Sequence, residues 1–323
     1  MPATPRRSVL AAAALLPATA LAQSPWAPTR PVRLLVGFPP GGSADTLARR
    51  LAEPLGAALG QPVVVDNRPG AGANIAMDAL AKSPADGLTV GLAPVGPHAI
   101  NPALMGARMP YDAAQDFTPV IHVWDMPNVL AAHPSVPGSM PEFLAWIRAR
   151  PEEPCASVGA GSSNHLTGVM LSRALGLRLQ HVPYRGSAAA LTDLMSGQIK
   201  LFVDNITTTM PLHREGKVRA LAVTTARRAA ALPEVPTLAE SVAPELVINS
   251  WQGIFAPARL PELIRARFNA ELNRILRDAA MVSWLRDIGA EPVGGTPDAF
   301  ATFLAGERTK WAEVVRVNGV TLD

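Results

Sequence analysis

Residues 34–45 read LLVGFPPGGSAD, an apolar run that passes through two prolines and two glycines straight into Ser-Ala-Asp and an amphipathic pattern. A strand that ends in a loop poor in side chains and turns at once into a helix is the βα unit of an open, largely parallel sheet. The predicted helix over 44–59 carries Leu47, Leu51, Leu55 and Leu59 on one face, and Pro54 inside it is expected to kink or split it. The same alternation recurs along the chain. PVVVDN (62–67) and LTVGLAP (88–94) are the next predicted strands, with a helix over 73–82 between them. A second series begins after residue 124, with strands at NVLAAH (128–133), CASVGA (155–160), LQHVPY (179–184), IKLFVDN (199–205) and VRALAVT (218–224). INSWQGIFAP (248–257) and two strong helical patterns, 261–277 and 297–317, close the chain and contribute little sheet of their own. This predicts an α/β protein with a discontinuous first domain, 23–124 plus 226–323, and an inserted second domain, 125–225.

The chain has 323 residues, 48% apolar and 17% charged, enough to bury a large core. Residues 1–22 have the form of a cleavable signal peptide: Arg6 and Arg7, an apolar run over 9–16, and Ala20-Leu21-Ala22 as the cleavage site. The mature chain would begin at Gln23 and lie in the periplasm, reached by the Sec or the Tat route. Losing two arginines and no acids lowers the formal charge from +3 to +1. The remaining basic residues are scattered, so a nucleic-acid partner has no support. Cys155 is the only cysteine, which excludes an internal disulfide and reads as a small buried hydrophobe.

Four strand ends share one design: FPPGGSAD (38–45), NRPGAGAN (67–74), GAGSSNH (159–165) and PYRGSAA (183–189). Each precedes a helix start, where unpaired backbone N–H groups and the positive dipole end attract anions. One such loop is an ordinary connector; four in one chain point to binding. Nucleotide motifs fail: no G-x-x-x-x-G-K-[ST] run exists, and GAGANI (70–75) places Ile75 where a dinucleotide fingerprint needs a small residue. The six histidines show no metal-ligand spacing, so neither a metal nor a cofactor is expected. Ser162 or Ser163, with His165 and Asp204, supplies the residue types of a serine hydrolase and gives the alternative reading. The G-x-S-x-G elbow is absent, however, and a serine two or three residues from its base is poorly placed. Asp204 closes an apolar strand, where it needs either a ligand or local hydrogen-bond donors.

The blocks FPPGGSADTLARRLAEPL, QPVVVDNRPGAGANIAMDALAKSPADGLT, YDAAQDFTPV, GSSNHLTG, VPYRGSAAALTDLMSGQI and WQGIFAPA resemble the substrate-binding proteins of the tripartite tricarboxylate transporter family, the Bug or TctC-like receptors. The resemblance runs through essentially the whole mature chain. It implies a two-domain periplasmic-binding-protein architecture, type II-like, a Venus flytrap with the ligand cleft between the domains. It also implies a monomer that captures a small carboxylate through backbone groups and bridging waters. Membrane permease subunits or a sensor kinase would be its partners. Carried over residue by residue, the site would comprise Phe38, Pro39, Pro40, Gly41, Gly42 and Asp45, with Gly72 and Asn74. Ser162, Ser163, Asn164 and His165, then Tyr184, Gly186 and Asp204, would face them. The third strand leaves through Ala93 and Pro94 where relatives more often carry serine or asparagine, which removes polar contacts there.

Overall fold

Val32–Val36 is a strand (β1) and Ser43–Leu59 a helix (α1), joined by the loop quoted above. The structure, a computed structural model, describes residues 26–321; the leader assigned to residues 1–22 lies outside them. α1 buries Leu47, Leu51, Leu55 and Leu59, and it runs unbroken through Pro54. The proline removes one amide, whose partner would be the carbonyl of Arg50, a residue on the exposed side of the helix.

The first series continues with β2 (Val63–Asn67), α2 (Asn74–Ala81), β3 (Thr89–Pro94) and the short α3 (Asn101–Met105). β1 lies between β2 and β3, parallel to both, so the ends of all three strands open along one edge. The next strand, β4 (Phe117–Ala132), is much longer than its sequence suggests. Its part up to Pro127 pairs antiparallel with β9 (Asn249–Pro257), and from Asn128 it pairs with β7 (Leu201–Asn205) and β8 (Arg219–Val223). From sequence the strand is expected to begin only at Asn128, because Pro119 and Pro127 interrupt the run. Pro119 sits at a register shift, where a residue without an N–H is tolerated.

The second series comprises α4 (Met140–Arg148), β5 (Pro154–Ser157), α5 (Ser163–Leu175), β6 (Gln180–Pro183), α6 (Ser187–Ser196), β7, α7 (Ile206–Arg214) and β8. β5 lies between β6 and β7, again parallel to both. The chain then forms α8 (Leu238–Ser241), β9, α9 (Glu262–Leu276), α10 (Ala279–Asp287), β10 (Glu291–Pro292) and α11 (Pro297–Asn318). Strand order is β2-β1-β3-β9-β4-β7-β5-β6. β9 is antiparallel to β3 and β4, so the first sheet is mixed, and the tail supplies its central strand.

Each sheet is covered by helices. Leu51 of α1 packs with Phe268 and Leu272 of α9 in one cluster, and Met77 of α2 with Phe300 and Trp311 of α11 in another. In the second half Phe143 and Leu171 share a core with Leu201, while Leu194 of α6 packs with Phe202. Buried Glu307 ties α11 to β9, accepting from the indole N–H groups of Trp251 and Trp311 at 2.8 Å each. The two crossings between the halves are bonded to each other: the Asn128 N–H donates to Thr224 Oγ1 at 3.0 Å, and the Thr224 hydroxyl donates to the Ile248 carbonyl at 2.6 Å.

Candidate functional site

The strand ends of the two sheets face each other across a cavity of about 190 Å3, below the few hundred Å3 typical of pockets for drug-sized ligands. The first half lines it with Phe38, Pro39, Pro40 and Gly42, the start of α1 at Ser43 and Ala44, Gly72, and Pro94 to Gly96 after β3. The second half brings Val158, Ser162, Ser163 and Asn164 at the start of α5, Arg185 to Ala189 at the start of α6, and Asn205 before α7. Ser250 and Gln252 of β9 complete the lining. Arg185 is the one charged residue among these.

Sequence explains why these segments end where they do. Gly42 and Gly186 hold the cap positions of α1 and α6 and Asn205 that of α7, none with a side-chain cap bond. A residue that leaves the first turn uncapped leaves its N–H groups available to whatever occupies the cavity. α5 differs: Ser162 Oγ accepts from the His165 N–H at 3.2 Å.

Several residues singled out from the sequence stand behind this lining rather than in it. Asp45 accepts from the Gly41 N–H at 3.0 Å, from Arg49, and from Asn67 Nδ2 at 2.9 Å, while Asn67 also donates to the Phe38 carbonyl. Burial works to raise the Asp45 carboxyl, but the bonds from Arg49, Gly41 and Asn67 outweigh it and hold the group below the usual carboxylate range. Asp45 thus fixes the shape of the first loop. Asn74 turns away from the cavity: its Oδ1 accepts from Tyr111 at 2.7 Å and from Asn101 at 3.1 Å. The Tyr184 hydroxyl donates to Asp193 at 2.7 Å. His165 stacks on His181 at 3.9 Å, and its Nδ1 accepts from the Gly161 N–H at 3.3 Å.

Asp204 is fully buried. Its carboxylate accepts from Ser187 at 2.6 Å, Thr208 at 2.7 Å and Thr209 at 3.1 Å, which joins the starts of α6 and α7. Burial pushes its carboxyl upward, and these donors oppose that shift. Asp204→Ala is expected to leave the buried hydroxyls of Ser187 and Thr209 without this acceptor, while half-buried Thr208 keeps the Asn205 carbonyl. The cost would be about 2 kcal/mol of stability, measured by denaturant unfolding, with weaker ligand binding as Ser187 loosens.

The hydrolase constellation does not assemble. The Ser162 hydroxyl donates to the Gly159 carbonyl at 2.7 Å and that of Ser163 to Asn128 Oδ1 at 3.4 Å, so neither directs its proton to an imidazole. Among the described residues, no group of three or more His, Cys, Asp or Glu side chains could hold a metal ion, and no helix is long and apolar enough to cross a membrane.

Sequence reasoning missed Ser43, Ser187, Asn205, Ser250 and Gln252. Ser250 and Gln252 left a signal: polar residues two apart in an otherwise apolar strand share one buried face. Asn205 lies one residue past Asp204, where the strand passes directly into a helix.

The halves touch at the cavity rim. A Cβ on Gly161 (φ +75°) would overlap Asn101 Oδ1, and one on Gly96 would come within 2.9 Å of the Gly161 carbonyl. Backbone meets backbone there, which only residues without a side chain allow.

Two helix-covered sheets, linked by paired crossings and closing helix starts over a small cavity, define a two-domain α/β solute-binding protein. Residues 47–320 match the model of the tripartite tricarboxylate transporter family receptor, and the chain belongs to that family, whose members are periplasmic binding proteins. It is 39% identical over 298 residues to Protein BugT of Bordetella pertussis, covering 91% of each chain. Among solved structures it resembles R. palustris Rpa4515 with adipate (39% identity, TM-score 0.87, 91% of this chain and 99% of that one). It also resembles MatC (Rpa3494) from Rhodopseudomonas palustris with bound malate (32% identity, TM-score 0.84, 89% and 99%).

Proposed function

We propose that this chain is exported to the periplasm with removal of residues 1–22, and that it binds a small organic carboxylate between a domain of residues 23–124 plus 226–323 and an inserted domain of residues 125–225. The observation that carries the reading is the convergence of the starts of α1, α5 and α6 on one small cavity whose lining has no acidic residue. The carboxylate meets Phe38, Pro39, Pro40 and Gly42, with Gly72, and across the cleft Ser162, Ser163, Asn164 and Gly186. Asp45, Asn74, His165, Tyr184 and Asp204 act from behind by holding those segments in place, and Gly41 through its bond to Asp45. Relatives with adipate and malate bound support a carboxylate cargo. The bound, closed form is then read by permease subunits of a tripartite tricarboxylate transporter or by a sensor. The protein acts as a monomer and carries out no covalent chemistry.

Thermal-shift measurements on residues 23–323, against mono- and dicarboxylates of three to six carbons, test this. A true ligand at about 100 times its Kd is expected to raise the Tm by about 5 °C and to be recovered unchanged. No shift with any of them overturns the carboxylate reading, and ester turnover lost in Ser162→Ala or Ser163→Ala would replace it with the hydrolase.

A further inference from the structure

Asn128, at the point where β4 changes sheets, is fully buried and bonded to the site it does not line. The orientation of its amide follows from its neighbours. The Thr167 hydroxyl donates to the Ser163 carbonyl at 2.8 Å, and a carbonyl only accepts, so Thr167 Oγ1 receives the Asn128 Nδ2 proton at 3.2 Å. Asn128 Oδ1 is thereby turned toward the cavity wall. There it accepts from Ser163 at 3.4 Å, Asn164 Nδ2 at 3.2 Å and Asn205 Nδ2 at 3.0 Å. Asn164 and Asn205 both line the cavity, and with their nitrogens committed to Asn128 neither Oδ1 meets a protein donor among the described residues.

Resting on the carboxylate reading above, we propose that Asn128 is a positioning residue that sets the specificity of the site. By holding two amide nitrogens it aims the Asn164 and Asn205 oxygens as acceptors, so the cavity selects a carboxylate that also carries a hydroxyl or ammonium donor. Helix starts supply donors to the acid group; these two oxygens require the opposite from the rest of the ligand. An unsubstituted acid leaves them unmet, and that is where discrimination arises.

Calorimetry with the mature chain on acids that differ only by one hydroxyl tests this: butanoate against 2-hydroxybutanoate, succinate against malate, adipate against 2-hydroxyadipate. The hydroxylated member of at least one pair is expected to bind about tenfold more tightly or better. In Asn128→Leu the ratio falls toward one, whereas Asn128→Asp, which keeps the acceptor, retains the ratio while weakening every anion. A merely structural role for Asn128 would weaken both members alike and leave the ratio in place. Asn205→Ala, at a helix start that its side chain does not cap, lowers the same ratio should Asn128→Leu fail to fold. Equal affinities within every pair that binds, or a ratio unchanged in these variants, overturns the proposal while the carboxylate reading stands. If no acid of any pair binds, the carboxylate reading falls and the proposal falls with it.

Discussion

Gly161→Val is expected to reduce ligand affinity at least about a hundredfold while the chain stays folded, as measured by calorimetry on any acid the wild type binds. The new side chain would occupy the position of Asn101 Oδ1 across the rim, so the halves could no longer close to their present distance. Binding energy in such a protein comes from contacts made only when both walls are in place, and a wedge at the rim removes them together. A side chain at φ +75° also strains the backbone by roughly 1–2 kcal/mol, an effect separate from closure. Gly176→Ala isolates that second effect: Gly176 has φ +66° with nothing near its missing Cβ. Equal losses of affinity in the two variants would remove the rim contact from the binding mechanism.

Acid should destabilise the fold through His98. Its ring is fully buried, stacked on Phe255 at 3.7 Å with Phe117 at its edge, and among the described residues neither ring nitrogen meets a partner at full hydrogen-bond geometry, the Ala113 backbone alone weakly favouring the charged form. Burial, with a smaller contribution from Arg308, pushes its pKa down from 6.5 to about 3. Between those values the unfolded chain binds the proton and the folded chain does not, so stability is fully present above pH 6.5 and is lost as pH falls toward 3. The slope is about 1.4 kcal/mol per pH unit, for a total on the order of 4 kcal/mol. His98→Leu should flatten this limb in urea unfolding measured from pH 7 to pH 4. Asp204, whose carboxyl burial raises, works in the opposite sense, so the difference between variant and wild type isolates the histidine. An unchanged acid limb in His98→Leu would show that other groups carry the transition.

The fold was largely legible because its units are local. Leucines at four-residue spacing, a glycine or serine at the starts of α1, α4, α5 and α6, and short apolar runs each specify one element from nearby residues. What was not legible depended on distant partners. β4 hides behind Pro119 and Pro127, which only pairing with β9 and β7 accommodates. That β9 is a central antiparallel strand is a property of its neighbours and not of INSWQGIFAP. In the site, the glycine loops announced themselves as backbone cradles. Their support did not: Asn67 behind the first loop, Asn128 behind the starts of α5 and α7, and Ser187 bonded to Asp204 are ordinary polar residues until the chain folds. Asp45, Asn74 and Tyr184 belong to the same loops in sequence, and the structure gives each a partner outside the cavity.

Cys155 is the chain's single thiol. It is buried, and burial pushes its pKa up to about 12, so it presents almost no thiolate to a reagent at neutral pH. A cysteine introduced at exposed Pro40 or Ala188, on opposite lips of the cleft, would therefore take a maleimide dye alone, without first removing the native residue. The protein is in this sense already prepared as a fluorescent reporter, in which the brightness of one dye follows the cleft as it opens and closes on its cargo.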